Sequence, residues 1–293
     1  MQKLRRIGTA WVLAATTLLY GCFNSDDSPT GPSGDDENAA DEAAIEASIG
    51  QELGSDAESD VLVWGEDTAG GTRDAINTVR WWRELLRLEK TVQITIHRDG
   101  IPPSADVSVK TDASGVLHLV SGDGPEIERT NKDFEITGVR SLYFERRNAR
   151  ILDQRRWVLK SMSGVEVQSP RTTRKINSVR VQSGDIDVTL TNVTDLVPLS
   201  ELMRIPMNTE VGITVDTGDA TDAVFLHLRR DHMRMPLESN GDGTFSGKFR
   251  TGSDAGRRHL AVDVLSHGTL FDQSAPYDNV VWGIPYKVRG LID

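Results

Sequence analysis

Beyond residue 90 the chain alternates apolar and polar positions. Val92, Ile94 and Ile96 share one side of a period-two pattern over 91–97, and Val107 and Val109 repeat it over 105–111. Such alternation predicts half-buried β-strands. The pattern recurs over 116–120, 138–145, 156–164, 174–182 and 186–191, with Leu142, Phe144, Trp157, Leu159, Ile176, Val179, Val181, Val188 and Leu190 as core candidates. Ser114-Gly115 reads as a turn, 122–133 as a polar loop and 195–204 as a short linking helix or turn. From Pro206 a second series begins, with strands expected over 210–215, 223–228, 233–237, 244–249, 258–266, 269–272 and 279–288.

Residues 72–90 carry a different period. Ile76, Val79, Trp82 and Leu86 recur at spacings of three and four, and Trp81, Leu85 and Leu88 widen the stripe. That spacing predicts one helix, with Thr72 as its cap and Asp74 in its first turn. Trp81-Trp82 then packs against a sheet, or alternatively forms a binding platform. The expected fold is mainly β: two consecutive antiparallel β-sandwich domains, over 91–205 and 206–293, behind a helical lead-in over 61–90.

The stretch "TVQITIHRDGIPPSADVSVKTDASGVLHL" resembles the β-sandwich repeats related to carboxypeptidase regulatory domains, in which a strand, "DG-x-P", "A-x-V-x-V" and "TD-x-x-G" follow in that order. The resemblance covers about 30 residues and implies a structural or binding module. The pieces "NGDGTFSGKF", "GRRHLAVDVLS" and "VVWGIPYKV" resemble bacterial immunoglobulin-like domains. The seven short strands expected after Pro206 are also the count of an immunoglobulin-like sandwich. Such folds host many functions and select none.

The amino-terminal end is unlike the rest. Lys3, Arg5 and Arg6 precede 14 uncharged residues, 7–20, and Gly21 precedes Cys22. These are the parts of an export signal, and the apolar run is shorter than the ~20 residues a spanning helix needs. Leu19, Gly21 and Cys22 resemble the lipobox of bacterial lipoproteins. The resemblance implies a signal peptide over 1–21, diacylglycerol and an N-acyl chain on Cys22, and a membrane as partner. More than one acyl chain is what stable anchoring requires. Phe23, rather than Asp, follows the cysteine, which in this family favours the outer membrane. Cys22 is the only cysteine, so once it is lipidated the mature chain has no thiol for disulfides, metal or nucleophilic catalysis.

Residues 22–60 read as a disordered acidic linker. Positions 23–60 hold twelve Asp or Glu and no Lys or Arg, in a Ser, Gly, Pro and Ala background. Such composition buries too little apolar surface to offset chain entropy. Residues 37–53 are rich in Ala and Glu and could form a transient helix. The linker accounts for the whole formal charge of −11, since residues 61–293 carry 30 basic and 32 acidic side chains. Global acidity therefore says nothing about partners of the folded part.

Charge within the folded part is segregated. Residues 140–180 hold eleven Lys or Arg against three acids, and 185–222 hold eight acids against one Arg. Arg146, Arg147, Arg155, Arg156, Arg174 and Lys175 are the candidates for binding an anion or partner, such as an envelope protein or an acidic glycan. The alternatives are that the two segments complement one another, or that the basic band takes the acidic tether. Among catalytic and metal signals, the Glu238–Gly243 region has Phe249 where a calcium loop needs its bidentate Glu. Asp216, Asp219 and Asp222 could share a calcium, though solvated loop acids explain them more simply. No His-Glu-x-x-His or Gly-x-Ser-x-Gly occurs among the residues of the chain. His259 and Asp263 share one face of an expected strand. These readings point to a lipid-anchored envelope protein acting as a non-catalytic binding, adhesion or accessory module, with no cofactor and no nucleic-acid partner. The alternatives are a glycan-active envelope hydrolase or a cation- or ligand-binding sensor.

Overall fold

Three strands of 18 to 20 residues set the scale of the structure, each about 60 Å long at the usual rise. The computed structural model describes residues 34–53, 72–73, 78–121, 127–147, 156–228 and 233–290. Cys22 and the expected signal peptide lie outside them, as do Arg155 and His232. The order is α1 (Gly34–Leu53), β1 (Thr72–Arg73), β2 (Thr78–His97), β3 (Ser104–Ser121), β4 (Glu128–Arg147), β5 (Arg156–Met162) and β6 (Val165–Gln168). Then follow β7 (Ser178–Ser183), β8 (Ile186–Leu190), β9 (Val197–Pro198), β10 (Arg204–Pro206), β11 (Glu210–Asp216), β12 (Ala223–Leu228) and β13 (Met233–Pro236). The chain continues through β14 (Glu238–Ser239), β15 (Thr244–Arg250), β16 (Gly256–Leu265), α2 (His267–Phe271) and β17 (Asn279–Arg289). The protein is mainly β and its sheets are antiparallel, apart from the short parallel pair β10 and β17.

Of the expected helix over 72–90, residues 72–73 form β1 and 78–90 belong to β2. Its partner β3 matches Leu85 with Gly115 and Arg87 with Ser114, so Leu86 is an extra residue in the ladder. Before this bulge Trp81 and Arg83 point inward; after it Val92, Ile94 and Ile96 do. A bulge shifts period-two alternation by one place, and the resulting spacing imitates a helix face. Leu86, 67% exposed, is the residue displaced. Gly115 is likewise not a turn, because β3 runs straight through it. A Cβ there would stand 2.0 Å from the carbonyl oxygen of Glu84 and 2.9 Å from the Phe134 ring, so only glycine lets β2 approach at the bulge. The polar stretch 122–133 is shorter than expected, since β4 begins at Glu128.

One sheet runs β1-β2-β3-β4-β6-β17-β16-β12-β13, and a second runs β14-β15-β11-β7-β8. Four-residue β6 joins the halves of the first sheet, pairing with β4 through Gly138↔Val167 and with β17 through Val281↔Val167. The strands therefore do not divide at 205/206. β7 and β8, expected in the first domain, pair with β11 in the second sheet. The expected strand over 269–272 is α2, because the Ser266 hydroxyl accepts from the Thr269 amide and caps a helical turn there. Lys132 Nζ closes its other end on the carbonyls of Gly268 and Asp272 at 2.9 and 2.6 Å.

Three cores follow. Val179, Val181, Val211, Ile213, Val215, Phe245 and Phe249 of the second sheet face Val224, Leu226, Leu260, Val262, Val264, Trp282 and Ile284 of the first. The opposite face of β12, β16 and β17 is covered by the first sheet itself, which curls so that Trp81, Leu117, Leu119, Phe134 and Ile136 meet Phe225, Ala261, Leu265 and Val281. Near the β2–β3 connection, Val107, Val109, Leu142, Phe144, Trp157 and Leu159 pack beneath α1 through Ile45 and Ile49. The acidic stretch expected to be a disordered linker thus contains a docked helix. Its buried positions Asp41, Ile45 and Ile49 recur every four residues and form one stripe.

Gly115→Ala should lower stability by about 1–3 kcal/mol, because backbone must move to admit the methyl. Gly212→Ala, where a Cβ would meet nothing nearer than 3.9 Å, should be close to neutral. Urea denaturation midpoints compare the two.

Candidate functional site

The curled half of the first sheet encloses a buried cluster of charges. Arg83 on β2 donates from Nη1 and Nη2 to Asp263 on β16 at 2.7 and 3.1 Å. His227 Nε2 on β12 lies 3.2 Å from Asp263 Oδ2. All three residues are buried. Each reaches the interior by strand parity: Asp263 alternates with Ala261 and Leu265, His227 with Phe225, and Arg83 with Trp81. The Arg234 guanidinium lies 3.6 Å above the Trp81 ring and Nη2 donates to the Trp81 carbonyl at 2.9 Å. Trp81 meets Phe225 edge-on with ring centroids 5.0 Å apart. β2 and β13, at opposite ends of the sheet path, are thereby held together.

Electrostatics keep the pair ionised. Burial pushes the Asp263 carboxyl up, but Arg83 and His227 more than offset this and hold it well below the usual carboxylate range. Burial pushes the His227 imidazole down, against the pull of Asp263, so it stays neutral at pH 7. Burial likewise raises the Tyr277 phenol, beside Arg83. An imidazole beside a carboxylate can serve a nucleophile, but His227 Nδ1 reaches no polar partner among the described residues. The cluster is an electrostatic clasp between strands, with Arg83 and Asp263 180 residues apart. A sequence signal existed: Asp263 interrupts "LAVDVL" and His227 interrupts "VFLHL". The partners of Asp263, which the sequence did not name, are thus Arg83 and His227.

Of the six residues expected to bind an anion, Arg155 lies outside the described residues, and Arg146 and Arg174 serve different contacts of the fold. Arg146 and Arg147 end β4, and Arg156, their neighbour on β5, pairs in register with Arg147. Arg146 Nη1 lies 3.8 Å from Asp41 of α1, which also takes Arg98 at 3.0 Å and Trp157 Nε1 at 3.3 Å. Arg174 belongs to another part of the molecule. Its Nη1 donates to Asp219 and Asp222 at 2.6 and 2.7 Å, and Nε lies 3.7 Å from Asp278. Thr172 and Thr173 donate hydroxyls to Asp278 at 2.8 and 2.7 Å. Lys175 beside it is exposed. Elsewhere in the basic band Arg140 is buried, Lys160 meets Glu145 at 3.1 Å and Arg180 meets Asp187. Cation-rich and anion-rich segments thus neutralise one another across the fold.

This arrangement also settles the acids considered for calcium. Asp219 and Asp222 hold a guanidinium, and Asp216 accepts from Asn177 at 3.1 Å. Hydrogen bonds from Thr221, with Arg174, bring Asp219 down to about 2, whereas burial pushes Asp222 up. Asp242 accepts from the amide and hydroxyl of Thr244 in a hairpin turn with Gly241 and Gly243 at positive φ. No group of three or more potential metal ligands occurs among the described residues. A shallow cleft is lined by Arg87, Glu89, Asp112, Glu135 and Thr137. Its Asp112 is held low by Lys110 and Thr137, the wrong direction for a proton donor to a glycosidic oxygen. Comparison with family models, curated proteins and solved structures finds no match to this chain.

Breaking the clasp tests its weight. Asp263→Asn should cost about 3–5 kcal/mol, because Arg83 is left buried without its counter-charge. Its pH signature follows from the two shifts. A buried His with lowered affinity for protons makes the unfolded state the better proton acceptor below about pH 6.5, so stability is lost as the pH drops through that range. The depressed Asp263 adds a second loss below about pH 4. His227→Gln should flatten the first of these slopes and leave the second, as read by thermal denaturation across pH 3–7.

Proposed function

We propose that this chain is a lipid-anchored cell-envelope protein whose folded part is a non-catalytic binding or accessory module. The anchor is Cys22, the only cysteine, at the end of a charged, then apolar, export-like segment. The uncharged run 7–20 is shorter than the ~20 residues a spanning helix needs, so the reading assigns attachment to acyl chains. The outer membrane is the favoured address in a two-membrane cell, because Phe23 follows the cysteine.

The observation that carries the reading is the docking of α1. Only 11 residues separate Cys22 from Gly34, and α1 is built into a core through Asp41, Ile45 and Ile49. Eleven residues reach at most about 40 Å when fully extended, less than a third of the reach of the whole stretch 23–60. The body is thus presented close to its anchor. The C-terminal unit, which we read as an immunoglobulin-like sandwich, packs on the half of the long strands remote from α1 and faces an envelope protein or acidic glycan. The hydrolase and cation-sensor alternatives have less support, since Asp112 of the cleft is held low and Asp219 and Asp222 already serve Arg174.

Cys22→Ser should move the exported protein from the membrane fraction to the soluble fraction and abolish incorporation of labelled palmitate. Retention in carbonate-washed membranes would remove the anchor from this reading. The same soluble variant, crosslinked to an envelope extract at low and high salt, tests the module: a saturable partner is expected.

A further inference from the structure

The connection between β2 and β3, Arg98-Asp99-Gly100-Ile101-Pro102-Pro103, projects from the end of the two long strands. Ile101 at its apex is 97% exposed, the most exposed large apolar side chain among the described residues. Single apolar side chains on a surface are ordinary, so exposure alone carries little. Position gives it meaning. Arg98 Nε donates to Asn38 of α1 at 3.1 Å, and Arg98 also pairs with Asp41. The start of α1, and with it the way back to Cys22, is therefore at this tip.

We propose that the β2–β3 tip is a membrane-contact site, with Ile101 seated at the headgroup–acyl boundary of the bilayer that holds the Cys22 lipid. The inference rests on the anchored reading of Cys22. The 11 residues before Gly34 reach at most about 40 Å when fully extended, so the anchor confines the tip to the neighbourhood of the bilayer. Confinement makes tip insertion an intramolecular event at high effective concentration, and a contact too weak for a free protein then suffices. The chemistry suits the occupant. The branched aliphatic Ile101 and the adjacent Pro102 ring are exposed and apolar. Arg147, exposed at the end of β4 beside the tip, offers a guanidinium to headgroup phosphate. Asp41 is already matched by Arg98 and Arg146, Asp106 hydrogen-bonds His97 at 2.7 Å, Asp99 is the acid within 98–103, and Asp35, Asp36 and Glu37 stand in the first turn of α1. Contact at two points, lipid and tip, fixes the orientation of the body where a lipid alone would leave it free to swivel.

The test attaches the mature chain through the Cys22 thiol to phosphatidylethanolamine–phosphatidylglycerol vesicles containing a maleimide lipid, so it does not depend on whether cells acylate this cysteine. Millisecond-pulsed hydrogen exchange is then compared between free and coupled protein. Amides of 98–101 should exchange several-fold more slowly when coupled, while those of 240–243 in the β14–β15 turn should not change. Ile101→Asp, a substitution at a solvent-exposed apex, should restore the free rate at 98–101. Unchanged exchange at 98–101 on coupling, or equal protection in the Asp variant, overturns the proposal. Failure of the Cys22→Ser fractionation would instead strike the anchor reading and leave this measurement standing.

Discussion

Arg83 and Asp263 meet as a bidentate ion pair inside the curl of the first sheet, and the relation between the two halves of the molecule depends on that contact. Hydrogen bonding along the sheet passes between the halves through four-residue β6. Such a narrow splice alone would let the long strands swing. The ion pair closes the opposite side, where β2 approaches β12 and β16, and Arg234 over Trp81 reinforces the closure. A buried ion pair is poor at adding net stability, since desolvation consumes most of the attraction. It is effective at penalising any arrangement in which one partner is buried without the other. The clasp therefore acts mainly by selecting one relative placement of two β surfaces, and the apolar contacts of the second core supply the cohesion.

The same economy runs through the surface. A strongly basic segment and a strongly acidic one lie in succession along the chain, yet Arg174 draws together Asp219, Asp222 and Asp278. Arg98 and Arg146 converge on one aspartate of the acidic leader. Net charge over a window of sequence is a poor guide to the field around a folded protein when opposite windows pair in space. Arg98, Arg146 and Arg174, with their aspartate partners, are engaged in holding loops and α1 to the sheets.

Docking of α1 links this electrostatics to location. Ile45 and Ile49 occupy the apolar end of the long strands, and Asp41 supplies the acceptor that Arg98, Arg146 and Trp157 need there. An acidic segment that would be a free spacer on its own becomes the lid of a core once a matching basic and apolar surface is offered. The folded body consequently starts close behind Cys22, and the β2–β3 tip shares that end of the molecule.

The alternation of β3, β4, β11 and β15 was legible because period two survives where one face is buried, whereas β12, β16 and β17, covered on both faces, read as near-continuous apolar runs. The mainly β class and most core residues follow from these patterns. What misled was local. Leu86 in its bulge turned a strand into an apparent helix, Gly115 imitated a turn while serving that bulge, and the Ser266 cap made a helical turn of an expected strand. Pairing was not legible at all. Nothing in residues 178–190 announces that they join β11, and nothing near Arg83 announces Asp263, because β pairing and buried charge are decided between segments far apart in the chain. By itself the sequence determined which positions must be inside and where the one cysteine stands, since side-chain polarity and position in the chain are local properties. Tertiary structure alone decided which strands meet, which charges cancel and that an acidic leader becomes part of a core, because those outcomes exist only when distant surfaces exclude water together.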